Sequence, residues 1–385
     1  MKSDNCCRLC GRALLREVMT IDNAPRNVQR LLRATELAAD RAVHLVVCSC
    51  AACGFVQIRP SLEDEYYDDY MMVATHSVQM QEFQATQARE FVEGLGLVGK
   101  RVAEIGCGDG SYLDHLKAAG AAVSGVEPSR RTREIALRRG HMVEGGYVTS
   151  GRRLEGGPFD GFVTRQVLEH VPDIHDFLTG IHENLAPGGV GLVEVPSLEK
   201  AIEDGRFYDF FADHVNYFSW KTLRMALEMN GFDVLSLTQS MFDEYDVAVV
   251  RRADTAQLAG IQRAVGSLGT ELKAFIDSYR AQGKKVAVWG AGGKGLSILA
   301  SAGIRDLDLL VDSDPNKLGL FTPVSHLRVE APSALVGASI DAVVISAMAY
   351  RREVERTLRE ELGFCGVVAT LGHRLQLALP GEGAK

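Results

Sequence analysis

Apolar and polar positions alternate between a strand rhythm and a helix rhythm along most of this chain. Arg101 to Ile105 alternates and then runs apolar, the pattern of a strand buried in a parallel sheet. Gly106, Gly108 and Gly110 follow at once, and then Tyr112, Leu113 and Leu116 recur at helical spacing. A second strand ends in Glu127, and PFDGFVTRQVLEHVPD (158–173) predicts a fourth strand ending near Thr164, followed by a loop. LAPGGVGLVEVPS (185–197) predicts a turn at Pro187-Gly188-Gly189 and then a fifth strand. An amphipathic helix through Phe83, Ala88, Phe91 and Leu95 precedes this series. Another, through Leu223 and Leu227, closes it, with Ser219 or Thr222 as cap and Gly231 as its end.

Outside that region the periods change. Residues 25–40, PRNVQRLLRATELAAD, have helical spacing, and residues 254–283 predict a helical linker. A second βαβ unit then opens with KKVAVWGAGGKGLSILA (284–300) and continues through 307–323 and 341–349. The pattern predicts an α/β chain of three domains: an N-terminal zinc-binding domain over 1–75, a Rossmann-like domain over 76–252, and a second over 253–385 with its helical linker.

With 385 residues the chain is long enough for several proper cores. Forty-two basic against 50 acidic residues give a net charge of −8, which argues against a broad nucleic-acid footprint. No apolar run reaches membrane-spanning length, and MKSDNCC does not read as a signal peptide. Eight cysteines without an export signal predict a reducing cytoplasm, where paired cysteines more often mean metal than disulfide. Cys7-Arg-Leu-Cys10 and Cys50-Ala-Ala-Cys53, each followed by glycine, form two knuckles that can bring four thiolates around one structural Zn²⁺. The long connection between them calls for a small helix or hairpin of its own. A redox role for the CxxC pairs is the competing reading.

The glycines run E-x-G-x-G-x-G, with Glu104 ahead of the first. Glycine permits a turn that a Cβ forbids and lets a ligand lie on bare main chain. An acid ending the second strand, Glu127, is placed to accept ribose hydroxyls. This pattern resembles class I S-adenosylmethionine-dependent methyltransferases. The resemblance implies a cofactor site of Glu104, Gly106, Gly108, Gly110, Glu127, Pro128, Gln166 and Leu168, with Glu169 and His170 beside them. For His170 a capping or core role is the favoured reading. Asp213-His214 sits among Phe207, Tyr208, Phe210, Phe211, Tyr217, Phe218 and Trp220. An imidazole near a carboxylate in an aromatic wall suits a general base, and a hydrogen-bonded structural histidine fits as well. The C-terminal Gly290, Gly292 and Gly295, with Asp312 ending the next strand, formally complete a dinucleotide fingerprint.

The order of these parts resembles the three-domain, zinc-containing nucleotide-sugar C-methyltransferases over nearly the full length. The most specific piece is Asp312, Pro315, Lys317, Gly319 and Pro323 in D-x-x-P-x-K-x-G-x-x-x-P. The resemblance implies methylation next to the ketone of a 4-keto-deoxy sugar on a nucleotide, with substrate in the cleft between the domains. It makes His214 the base, Asp213 the counterpart of a glutamate, and Tyr70 the remaining member of a tyrosine pair. The stretch before the linker reads DEYDVAV (243–249), a departure from the family's G-G-S-x-R. Rival readings are an O- or N-methyltransferase on another natural-product intermediate, and an NAD(P)-linked oxidoreductase using the C-terminal unit. Lys294, at the start of a helix, is a candidate for a diphosphate.

Overall fold

An antiparallel sheet carries the paired cysteines. Its first strands, β1 (Leu15–Pro25) and β2 (Ala42–Cys50), form a long hairpin, and β3 (Val56–Arg59) follows the second knuckle. The structure is a computed structural model that describes residues 5–26, 28, 31–59, 77–253, 257–372 and 374–377. Of the small helix or hairpin expected between the knuckles the structure has the hairpin, whereas among the described residues the helix expected over 25–40 is not formed. β1 runs to Pro25, and among the described residues of that stretch only a 3₁₀ turn, Leu37–Ala39, is helical. The leucines that set its apparent stripe have nothing to cover: Leu31 is 93% exposed and Leu37 62%. An amphipathic pattern without a partner surface does not hold a short helix.

The chain divides into two compact units, residues 1–254 and 255–385. The first unit is built on a seven-stranded sheet. In chain order it contains α1 (Val78–Gly94), β4 (Arg101–Ile105), α2 (Ser111–Ala118), β5 (Ala122–Glu127), α3 (Arg130–Arg138) and β6 (Val143–Gly145). Next come β7 (Phe159–Arg165), α4 (Ile174–Glu183), β8 (Leu185–Pro196), α5 (Leu198–Glu203), β9 (Asn216–Tyr217), α6 (Trp220–Met229), β10 (Phe232–Ser240) and β11 (Tyr245–Arg252).

The spatial order is β10-β11-β8-β7-β4-β5-β6, with only β11 antiparallel to its neighbours. The chain moves outward from β4 through β5 and β6, then crosses back to β7. The switch point thus lies between β4 and β7, where ligands of doubly wound sheets bind. The Pro187-Gly188-Gly189 turn proves to lie inside β8, as a register shift between Leu185 and Val190 against β7. On α6 the two expected caps act together: Ser219 and Thr222 form a reciprocal capping box.

The cysteine-bearing sheet belongs to this same unit. Cys7, Leu9 and Phe55 pack into one buried core with Phe162 and Phe232 of the seven-stranded sheet, Leu178 of α4 and Phe218 just after β9. The tie is also a strand pairing, because β9 joins β3 as fourth strand through Val56–Tyr217 and Gln57–Asn216.

The second unit opens with α7 (Gln257–Arg280), where the linker helix was expected. β12 (Val286–Trp289), α8 (Gly293–Ser301), β13 (Leu309–Val311), β14 (Val329–Glu330), β15 (Ala342–Ile345), β16 (Val367–Leu371) and β17 (Leu375–Leu377) follow. Their order, β14-β13-β12-β15-β16-β17, is parallel except for β17. Its buried strand VAVW over Val286–Trp289 is apolar throughout, as a strand covered on both faces requires.

Candidate active site

Three loops meet at the carboxyl ends of β4, β5 and β7. After β4 the chain turns through Gly106 and Gly110, both with positive φ (78° and 79°). A Cβ at Gly106 would overlap the Val167 side chain, so glycine is required there for space as well as for backbone angle. Gly106 and Cys107 both donate to the carbonyl of Val126, which ties the loop to β5. Glu127 then braces the loop from the side. One carboxylate oxygen accepts from the Gly108 amide and the other from Ser129, each at 2.8 Å. Burial pushes its pKa up, and the amides of Ser129 and Gly108 oppose that. Pro128, half-buried, offers its carbonyl to Arg133.

Behind the glycine turn lies a cluster of buried charge. Glu104, 4% exposed, has one oxygen, Oε2, with no hydrogen-bond partner among the described residues, and burial holds its pKa well above the usual range against the pull of Arg165. Arg165 closes β7 in register with Glu194 of β8, 3.0 Å away, and lies 4.2 Å over the Tyr112 ring. Burial opposes the arginine's charge, but Glu194 foremost, then Tyr112 and Glu104, raise its pKa. Glu194 also accepts from Gln87 of α1 at 2.6 Å and from Gln166 at 3.3 Å, and Tyr112 donates to Gln87. Gln166 adopts a positive φ of 53° at the strand end. Leu168 is fully buried in the core, and its carbonyl accepts from Asn216.

The histidines stand beside this cluster. Asn216 donates to the carbonyls of Leu168 (3.1 Å) and Val171 (2.7 Å), which fastens the 213–217 segment to the loop after β7. His214 is buried, with its ring edge-on to His170 (4.6 Å between centroids) and to Phe211 (4.9 Å). Burial, and then the neighbouring His170, hold its pKa well below the ordinary histidine value. Asp213 is paired with His170: the ring nitrogen Nδ1 is 3.0 Å from the Asp213 carbonyl and 3.7 Å from its carboxylate. His170 carries the carboxylate contact and packs edge-on against His214. Tyr70 lies outside the described residues.

The four knuckle cysteines converge. Cys7 and Cys53 sulfurs are 3.6 Å apart, as are those of Cys10 and Cys50, and all four lie within 4.8 Å of one another. That spacing suits tetrahedral ligation with metal–sulfur bonds of about 2.3 Å. Arg8, inside the first knuckle, donates to the carbonyls of Val215 (2.8 Å) and Ile58 (2.9 Å). The knuckle therefore holds the residue next to His214.

Sequence reasoning passed over Arg165, Glu194 and Arg8. Glu194 left one trace, the single charge in β8, and Arg165 stands at the end of β7; only the β7–β8 register shows that they face each other.

Residues 80–237 match the model of a methyltransferase domain, and residues 244–367 match the C-methyltransferase C-terminal domain. The chain belongs to the S-adenosylmethionine-dependent methyltransferases. Over nearly its full length it is similar to the C-methyltransferase NovU of Streptomyces niveus, at 26% identity over 380 residues and 90% of both chains. The ubiquinone biosynthesis O-methyltransferase of Pseudomonas aeruginosa is 32% identical over 105 residues, covering 25% of this chain and 44% of that one. Among solved structures, an S-adenosylmethionine-dependent methyltransferase from Clostridium acetobutylicum covers 45% of this chain and 92% of its own (12% identity, TM-score 0.39).

Proposed function

We propose that the protein methylates the carbon next to the ketone of a nucleotide-linked 4-keto-deoxy sugar, and that His214 is the base. The observation that carries this reading is a buried imidazole, its pKa held well below the ordinary histidine value by burial, with the Phe211 and Tyr217 rings beside it near the loop after β7; of the other aromatics expected around it, Phe207 and Tyr208 are exposed and Phe218 packs against Phe55. Excluding water there protects an enolate from reprotonation. His214 takes the α-proton, and Asp213 steadies His170, against which the His214 ring packs.

The donor site fits S-adenosylmethionine, which when bound supplies an electrophilic methyl carbon on a cationic sulfur. Glu127 retains acceptor capacity for ribose hydroxyls beyond its two amide bonds. The unpartnered oxygen of Glu104 suits a cationic amino group. The bare turn over Gly106, Gly108 and Gly110 gives the adenosine its approach, and Pro128, Gln166 and Leu168 border it. Cys7, Cys10, Cys50 and Cys53 would hold a structural Zn²⁺, four thiolates leaving no open position for catalysis.

The domains would then be 1–75, 76–252 and 253–385. In the last of these, Asp312 is engaged by Lys317, Ala291 and Asp314, which favours a supporting role over NAD(P) chemistry.

The test is a thermal-shift panel of nucleotide sugars with S-adenosylhomocysteine present, followed by product analysis of the sugars that bind. A methyl group on the carbon adjacent to the ketone is the expected product. Methylation at oxygen or nitrogen, or no stabilisation by any keto sugar, would sink the reading.

A further inference from the structure

Glu169 is a buried acid that this chemistry has not used. It is 2% exposed, and neither carboxylate oxygen has a hydrogen-bond partner among the described residues. A carboxyl group in that state is costly and calls for a reason. One of its oxygens and one ring nitrogen each of His170 and His214 lie within 4.8 Å of one another. His170 is oriented by Asp213 through Nδ1, and its ring stands edge-on to His214.

We propose that Glu169 is a positioning residue for the base, its carboxylate taking up the charge of His214 once the imidazole has accepted the substrate proton. The inference rests on His214 being that base. In the step the α C–H bond breaks, the pair of electrons stays on carbon, and an N–H bond forms on His214. The electron pair on carbon then takes the methyl group that S-adenosylmethionine would supply, the sulfur–methyl bond breaking with its electrons left on sulfur as S-adenosylhomocysteine, and the imidazolium returns its proton to water as product leaves. One proton is released per methyl transferred.

The groups facing Glu169 set its state. They are Glu194 from β8, Asp213 and His214 from the segment before β9, Tyr217 on β9, Tyr245 on β11, and His170 on its own turn. Burial, and then the two carboxylates Glu194 and Asp213, push the Glu169 pKa up to about 8. The ionised fraction, and with it turnover, rises from pH 7 to pH 9.

The experiment compares wild type, Glu169→Gln, Glu169→Asp and His214→Asn as full-length chains. Solvent deuterium entry at the α-carbon, kcat against pH, and S-adenosylhomocysteine affinity are measured for each. Glu169→Gln should keep that affinity within about twofold, slow deuterium entry by about 10- to 100-fold, and flatten the rise of kcat between pH 7 and 9. Glu169→Asp should recover part of the rate.

An unchanged rate and profile in Glu169→Gln would overturn the proposal. So would a wild-type kcat that does not rise over that range, a readout that needs no variant to fold. A second divalent ion per chain, lost with activity on chelation and absent from Glu169→Gln, would overturn it too, by making the trio a metal site. Deuterium entry that survives in His214→Asn would instead remove the base itself, and so separates failure of the underlying reading from failure of this one.

Discussion

The two Rossmann-like units build the same corner and use it differently. In the first, Glu127 ends its strand and receives the amides of Gly108 and Ser129. In the second, Asp312 follows β13 and receives the amides of Ala291 (2.7 Å) and Asp314 (2.9 Å). There the likeness stops. Lys317 lies 3.1 Å from Asp312 and neutralises it, whereas Arg133, near Glu127, donates to the carbonyls of Glu127 and Pro128. Beside Glu127 stand the buried Glu104, Arg165 and Glu194 and the histidine cluster. Beside Asp312, β12 and β15 end in Trp289 and Ile345, β14 ends in Glu330 with its carbonyl on the Asp312 amide, and Ser346 turns its hydroxyl back onto the carbonyls of Trp289 and Gly290. The sheet is a mount, and the chemistry belongs to the side chains at its strand ends.

The comparison can be broken most sharply at the base. His214→Asn should lower methyl transfer by about 10²- to 10⁴-fold with donor affinity kept, as measured by single-turnover kinetics. Lys294→Ala in the second unit should leave donor affinity and kcat unchanged. Equal effects of the two would erase the division of labour.

Next in size is the knuckle. Because Arg8 holds Val215, Cys50→Ser should release metal and lower kcat by about 10- to 100-fold, with loss of the first unit's stability. Metal analysis alongside denaturation checks this, and retention of full activity in metal-free protein would refute the clamp.

A finer contrast sets Glu127→Ala against Asp312→Ala. The first should weaken S-adenosylhomocysteine binding by roughly 1–3 kcal/mol, read by calorimetry. The second should leave that affinity unchanged and lower only the stability of its own unit.

The smallest effect is on stability against pH. A carboxyl raised from 4.5 to about 8 on folding binds its proton more tightly in the native state. Stability from Glu169 is therefore fullest below about pH 4.5 and falls as pH rises towards 8. Denaturant titrations at pH 6 and 9 should show a smaller decline for Glu169→Gln than for wild type.

Much of this architecture was written in local pattern. Apolar strand runs, the glycine turn after Ile105 and the capping pair Ser219 and Thr222 act over a few residues, so their physics is complete in the sequence. The cysteine knuckles were legible for the same reason, since each C-x-x-C-G fixes its own turn. The stretch 25–40 failed because helical spacing says nothing about whether a surface exists to cover Leu31 and Leu37.

What only tertiary structure decided is which distant side chains share a low-dielectric space. Arg165 meets Glu194 through strand register, Asp213 turns to His170 through a loop packing, and Arg8 reaches Val215 across some two hundred positions. Chain order settles each element's kind, because backbone angles and periodicity are local. The strength of a buried charge, and so the chemistry, depends on neighbours that folding alone brings within a few ångströms.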